Sequence, residues 1–135
     1  MLEDKILTDF RVVAVVGASS NPKRPSNQVA AYLIENGYRV IPVNPNSAEI
    51  FGEKCYPDLA SITEKVDVVD IFRRSEDVMP IVDEAIKIGA RAVWMQEGVI
   101  NEEAAAKARD AGLLVVMDKC MLKEHSRLAH HRPRE

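Results

Sequence analysis

Five short segments of this 135-residue chain carry the residue types that could bind a charged ligand. Each follows a run of apolar residues: Gly17-Ala18-Ser19, Asn44-Pro45, Phe72-Arg73-Arg74, Gln96-Glu97-Gly98 and Asp118-Lys119-Cys120. The first leads through small residues to a helix start near Pro25. Exposed N–H groups and the helix dipole at such a start favour a phosphate. We therefore expect a phosphate loop over residues 17–26, with Gly17 where backbone and phosphate approach closely.

Basic residues crowd the same segments, namely Lys23, Arg24, Arg73, Arg74 and Lys119. They favour a ligand that carries several phosphate charges. A solvated charge pair is an equally good interpretation of Arg73 and Arg74. Asn44-Pro45 could be a simple turn, Glu97-Gly98 a plain loop, and Cys120 a small buried hydrophobe rather than a reactive thiol.

Two features argue against NAD as the ligand. The loop reads GASSNPKRPS, without the G-x-G-x-x-G spacing that lets a pyrophosphate approach the backbone. The second strand ends at Val43-Asn44-Pro45, where a dinucleotide-binding domain usually carries an acidic residue for the ribose hydroxyls. Coenzyme A, with a pyrophosphate and a 3′-phosphate, fits the basic residues better.

Residues for catalysis are harder to find. The three histidines, His125, His130 and His131, all follow the last predicted strand. Glu97 could serve as a base, but no nucleophile is paired with it. Cys55 and Cys120 form no CxxC pair, and no metal-ligand spacing occurs. We therefore predict a binding domain without catalysis of its own and without a metal.

The elements that must position these segments follow from hydrophobic periodicity. Apolar runs predict five strands, at residues 12–16, 39–43, 66–72, 90–95 and 113–117. Helices are expected from Pro25 to a cap at Gly37, from Ser75 or Asp77 to Gly89, from Asn101 to Gly112 and over residues 121–128, with a short one near 59–62. Pro42 conflicts with the second strand, because proline cannot donate to a β-ladder.

Strands that are apolar throughout and alternate with helices predict an α/β fold. We expect a doubly wound, Rossmann-like five-stranded parallel sheet in the order 3-2-1-4-5, with helices on both faces. Residues 1–128 would form this one domain, and residues 129–135 a polar, disordered tail.

The composition of the chain restricts the partners and the compartment expected for the protein. The net charge of −3 provides no general attraction to nucleic acid or membranes. No signal peptide or bilayer-spanning apolar run is recognisable, and the sparse cysteines favour a reducing, cytoplasmic setting. The oligomeric state and any partner enzyme cannot be read from the sequence.

In order along the chain, the strand ends resemble the CoA-binding family related to the N-terminal domain of the succinyl-CoA synthetase alpha subunit. The matching stretches are residues 15–19, 24–26, 43–45, 69–73, 94–101 and 117–120, and the likeness runs from about residue 8 to 128. It is strongest to the stand-alone members. The synthetase's second domain with its phosphorylated histidine is absent, and the phosphate loop here is longer and poorer in glycine.

The resemblance implies coenzyme A, or an acyl-CoA, on the first loop and at the other strand ends. The expected contacts are Gly17, Ala18, Ser19, Lys23, Arg24, Pro25, Ser26, Asn44, Pro45, Phe72, Arg73, Gln96, Glu97 and Cys120. Two alternatives stay open. One is an NAD(P)- or nucleotide-linked enzyme or ligase fragment, and the other is a structural domain whose site is empty.

Overall fold

A computed structural model describes residues 1–131 and contains a five-stranded parallel sheet. The strands of this sheet are β1 (Val12–Val16), β2 (Arg39–Val43), β5 (Val68–Ile71), β6 (Ala92–Met95) and β7 (Leu114–Val116). A small antiparallel hairpin, β3 (Glu49–Ile50) and β4 (Glu53–Lys54), lies between β2 and β5. The predicted doubly wound, Rossmann-like α/β fold is confirmed.

Helices cover both faces of the sheet, as predicted. The α-helices of residues 1–131 are α1 (Leu2–Asp9), α2 (Pro25–Glu35), α3 (Val78–Lys87), α4 (Glu102–Asp110) and α5 (Met121–His131). The first, second and fifth pack on one face, and the third and fourth on the other. Short 3-10 turns occupy Leu59–Ser61 and Ser75–Asp77. None of the helices in the described residues is long and apolar enough to cross a membrane.

The two ends of the chain differ from expectation. Helix α1 was not predicted, and it buries Ile6 and Leu7 against the sheet. Helix α5 continues beyond Leu128 to His131. The remainder of the predicted tail, residues 132–135, lies outside the described residues.

The predicted strand order 3-2-1-4-5 is wrong in one respect. The observed order is β2-β1-β5-β6-β7, so the third long strand pairs with β1 and not with β2. The carboxylate of Asp67, just before β5, accepts hydrogen bonds from the N–H groups of Arg11 and Val12 at 3.3 and 3.1 Å. These bonds align the start of β5 with β1. The topological switch point therefore lies between β1 and β5.

The position of β2 at the sheet edge resolves the conflict at Pro42. The N–H group of Arg39 donates to the Arg11 carbonyl, so alternation along the strand turns the Pro42 nitrogen away from β1. The outer edge of β2 forms an isolated β-bridge with Tyr56, whose N–H group donates to the Pro42 carbonyl oxygen. A missing N–H group costs no ladder hydrogen bond at this position.

Candidate functional site

A cleft of about 850 Å³ lies at the carboxyl ends of the strands, beside the switch point. Each of the five segments singled out in the sequence contributes to its lining. The segments after β1, β5 and β6 contribute two or three residues each, whereas the segment after β2 contributes only Asn44 and the segment after β7 only Cys120. The lining residues are Gly17, Ala18, Ser19, Arg24, Pro25, Ser26, Val29, Asn44, Phe72, Arg73, Arg74, Asp77, Gln96, Glu97, Val99 and Cys120. The parallel sheet thus brings together residues from widely separated parts of the chain.

Two of the expected contacts, Lys23 and Pro45, do not line the cleft. Lys23 lies in the exposed outer part of the first loop, and Pro45 in the exposed turn after β2. Val29, Asp77 and Val99 line the cleft and were missed as site residues. Their signal was weak, because an apolar helix residue, a possible helix cap and a loop valine each have an ordinary structural explanation.

The packing of the strand ends gives a reason for glycine at position 17 that was not predicted. It adopts a φ of +90°, and a Cβ atom built there would lie 2.3 Å from the carbonyl oxygen of Phe72. The neighbouring strand end therefore excludes a side chain at this position, and the expected approach of a phosphate to Gly17 stays a prediction. The N–H group of Phe72 in turn donates to the Val16 carbonyl oxygen at 2.9 Å, which holds the two strand ends together.

The backbone donors of the first loop are partly committed to the protein. The N–H groups of Gly17 and Ala18 both donate to the Val43 carbonyl oxygen, at 3.0 and 3.3 Å. At the start of α2, Pro25 has no N–H group and Asn27 and Gln28 donate to the Arg24 carbonyl. Ser26 consequently carries the first N–H group of α2 that is available to a ligand.

The glycine-poor loop is held in shape by side chains. Asn21 accepts from the N–H group of Lys23 at 3.0 Å. Two residues of α2 reach back to the loop: Asn27 donates to the Ser19 carbonyl at 2.9 Å and Gln28 to the Pro22 carbonyl at 3.2 Å. This positioning role was not predicted, because asparagine and glutamine in a first helical turn have many ordinary uses.

Asn44 also acts on the loop. Its side-chain nitrogen donates to the Ala18 carbonyl at 2.8 Å, and its side-chain oxygen accepts from the N–H group of Asn46 at 2.9 Å. Both polar atoms of the amide are thus used within the protein. Asn44 lines the cleft chiefly as the residue that joins the end of β2 to the first loop.

The charges of the cleft are unevenly paired. Arg74 forms ion pairs with Glu76 and Asp77 at 3.7 and 3.1 Å. Arg24 and Arg73 line the same cleft, and neither makes an ion pair with a carboxylate of residues 1–131. Within the part of the chain that the structure describes, these two guanidinium groups of the cleft lining have no carboxylate partner, and Arg24 directly precedes α2.

The side of the cleft at the ends of β6 and β7 is held by contacts within the protein. Glu97 pairs with Lys123 of α5 at 2.9 Å, and the Asp118 side chain accepts from the N–H group of Gly98 at 2.7 Å. The indole N–H group of Trp94 donates to the Lys119 carbonyl at 2.8 Å. These contacts tie the loop that carries Cys120 to the end of β6.

A buried carboxyl group lies beneath the cleft. Asp70 of β5 is fully buried, and its Oδ1 accepts a 2.6 Å hydrogen bond from the Gln96 side-chain nitrogen. Burial raises the pKa of Asp70 from 3.8 to about 8, and the hydrogen bond from Gln96 offsets only part of that rise. Asp70 is therefore largely protonated at neutral pH.

Residues 1–131 contain no group of three or more histidine, cysteine, aspartate or glutamate side chains placed to hold a metal ion. The lining of the cleft combines two free guanidinium groups, backbone and side-chain hydrogen-bonding groups and apolar surface from Val29, Phe72 and Val99. This combination suits the binding of a long, partly anionic ligand in an extended groove.

Fold and cleft together define a Rossmann-like domain with its site at the switch point. Residues 11–126 match the family described as the CoA binding domain. An uncharacterized protein of Bacillus subtilis, YneT, is 37% identical over 122 residues, which cover 90% of each chain. A solved structure of a hypothetical protein from Pyrococcus horikoshii is 46% identical, has a TM-score of 0.92 and is matched over 94% of this chain and 89% of its own.

A longer protein shares part of this sequence. The ADP-forming acetate–CoA ligase II of Archaeoglobus fulgidus is 31% identical over 93 residues, which cover 67% of this chain and 14% of the ligase. The chain thus corresponds to a small part of that ligase. It belongs to the CoA binding domain family, as the resemblance in the sequence indicated.

Proposed function

We propose that this chain binds coenzyme A, free or acylated, in the cleft and performs no catalysis of its own. The observation that carries the proposal is the pair of guanidinium groups, Arg24 and Arg73, which line the cleft and have no carboxylate partner among the described residues. Cations that lack a protein partner favour a phosphate-bearing ligand through charge-assisted hydrogen bonds. Membership of the CoA binding domain family supports coenzyme A as that ligand.

The strand order supports one direction of the ligand across the cleft. From β1 to β7 the sheet presents Arg24 after β1, Arg73 after β5, Gln96 and Glu97 after β6, and Cys120 after β7. The phosphates of coenzyme A belong near β1 and β5, where the free cations are. The cleft lining near β6 and β7 offers no unpaired cation, because Gln96 and Cys120 are uncharged and Glu97 is paired with Lys123. The uncharged pantetheine arm therefore extends across β6 towards β7.

Titration calorimetry tests the proposal with coenzyme A, dephospho-CoA and NAD. We expect affinity to fall in that order, with loss of the 3′-phosphate weakening binding roughly tenfold. Solvent exposure of Arg24 keeps the loss at the lower end of the range for a charged hydrogen bond. Raising the salt concentration should reduce the difference in affinity between coenzyme A and the other two ligands, because exposed charges are screened.

Matched arginine variants test whether the cations of the cleft bind the ligand. Arg24→Ala and Arg73→Ala should each weaken coenzyme A binding, whereas Arg109→Ala, an exposed arginine at the end of α4 outside the cleft lining, should not. If NAD binds as tightly as coenzyme A, a nucleotide-linked enzyme becomes the better hypothesis. If none of the three ligands binds, the cleft is an empty site of a structural domain.

A further inference from the structure

The hydrogen bond between Asp70 and Gln96 bears on how the cleft recognises its ligand. Asp70 lies in the middle of the sheet, where its neighbours across the ladder are Val15 of β1 and Trp94 of β6. Its Oδ2 atom is sealed from solvent and has no hydrogen-bond partner in the described residues. A buried carboxyl group that is only half satisfied costs stability, which an apolar residue at this position would not.

Gln96 connects this buried group to the cleft. Its side-chain nitrogen donates to Asp70 Oδ1, and Gln96 itself lines the cleft. Its Oε1 accepts no hydrogen bond from residues 1–131, yet it is not sealed from solvent as Asp70 Oδ2 is. The amide is therefore oriented with its nitrogen towards the core and its oxygen free to accept from the cleft.

We propose that Asp70 is a positioning residue, which orients the Gln96 amide so that Oε1 accepts a hydrogen bond from an amide N–H group of the ligand. The inference rests on the proposed function, in which the pantetheine arm crosses β6. That arm contains two amide groups, each with one N–H donor. Without an acceptor at position 70 the amide could turn over and present its own N–H donors to the arm.

The experiment compares two ligands by titration calorimetry. Coenzyme A contains the arm, whereas adenosine 3′,5′-bisphosphate keeps the 3′-phosphate and the first phosphate of the pyrophosphate and lacks the arm. Asp70→Leu removes the acceptor with little change in volume, and Asp70→Asn keeps a side-chain oxygen able to accept from Gln96. Gln96→Met removes the amide and leaves Asp70 unchanged.

We expect Asp70→Leu and Gln96→Met each to weaken coenzyme A binding about tenfold, the loss expected for one neutral hydrogen bond. Binding of the bisphosphate should change less than twofold. Asp70→Asn should retain most of the coenzyme A affinity, and Asp70→Leu should have no further effect in the Gln96→Met background.

Three results would overturn the inference. Gln96→Met could leave coenzyme A affinity unchanged, the variants could weaken both ligands equally, or wild-type protein could bind the bisphosphate as tightly as coenzyme A. In the last case the phosphate part of the proposed function survives and the role of the arm fails. If wild-type protein binds neither ligand, the proposed function itself fails. Should Asp70→Leu not fold, Gln96→Met and Asp70→Asn still decide.

Discussion

The side-chain amide of Asn44 donates a 2.8 Å hydrogen bond to the carbonyl oxygen of Ala18. The two residues are 26 positions apart and follow neighbouring strands, β2 and β1. The end of one strand thereby fixes the loop after the other, and that loop forms a wall of the cleft.

Asn44→Ala should therefore loosen the first loop. It leaves the Ala18 carbonyl oxygen without a partner, which should lower the free energy of unfolding by about 1–2 kcal/mol and weaken coenzyme A binding severalfold. Asn36→Ala is the matched control, because the side-chain amide of Asn36 donates a 2.8 Å hydrogen bond to the Tyr32 carbonyl oxygen and Asn36 does not line the cleft. Chemical denaturation and calorimetry on both variants would measure this. Equal effects of the two substitutions on ligand affinity would contradict the positioning role.

Gly17→Ala should destabilise the fold and not merely block a ligand. The added Cβ would meet the Phe72 carbonyl oxygen at 2.3 Å, so the β1 and β5 ends must separate. We expect a loss of about 3 kcal/mol, the upper part of the range for overpacking. Gly112 has the same φ of +90° with nothing within 4 Å of its added Cβ, so Gly112→Ala should cost only about 1 kcal/mol. Similar losses in the two variants, measured by urea denaturation, would show that the φ angle alone sets the cost.

Asp70 should make stability depend on pH. Its pKa is raised from 3.8 to about 8 by burial, so between these values the folded chain keeps a proton that the unfolded chain releases. Stability is therefore greatest below about pH 4 as far as this group is concerned, and it falls as the pH rises towards 8. The slope is at most about 1.4 kcal/mol per pH unit.

Asp70→Asn removes this titration, so its stability relative to wild type should increase steadily from pH 5 to pH 7. Asp110→Asn, at an exposed position on α4, serves as the control and should show no such trend. Urea denaturation at several pH values gives the comparison. A constant difference between Asp70→Asn and wild type across this range would mean that Asp70 titrates at its ordinary pKa.

The two cysteines should differ in reactivity. Cys55 is buried, donates weakly to the Asn44 carbonyl, and has its thiol pKa raised by burial. Cys120 is half-buried and lines the cleft. Iodoacetamide should therefore modify Cys120 well before Cys55, and saturating coenzyme A should slow the modification of Cys120. Mass spectrometry of the labelled chain checks both expectations, and equal labelling with and without coenzyme A would place the ligand away from β7.

Much of the architecture could be predicted because local patterns determine it. The apolar runs gave the five long strands, and the polar residues after them gave most of the cleft lining. The strand order could not be read in this way, because it depends on pairing between distant segments. The hydrogen bonds from the start of β1 to Asp67 accompany the observed pairing and have no recognisable local pattern. Pro42 was recognised in the sequence, and its preference for an edge strand agrees with the observed place of β2, but the predicted order did not use it.

The finer structure of the site was hidden for a similar reason. The glycine at position 17 was recognised, but its steric partner, Phe72, is 55 positions away along the chain and was known only as a strand end. The burial of Asp70 and its bond to Gln96 depend on the register of β5 and β6. Contacts of this kind follow from tertiary packing and leave no periodic signal in the sequence.

Trp94 should report on ligand binding through its fluorescence. It is the single tryptophan of the chain, is fully buried, and donates to the Lys119 carbonyl at 2.8 Å. Lys119 directly precedes Cys120, so a ligand arm that reaches β7 should shift this loop and change the surroundings of the indole. We expect saturating coenzyme A to alter the emission, and adenosine 3′,5′-bisphosphate, which lacks the arm, to alter it much less. An unchanged spectrum with coenzyme A, under conditions where calorimetry shows full occupancy, would contradict the placement of the arm across β6 and β7.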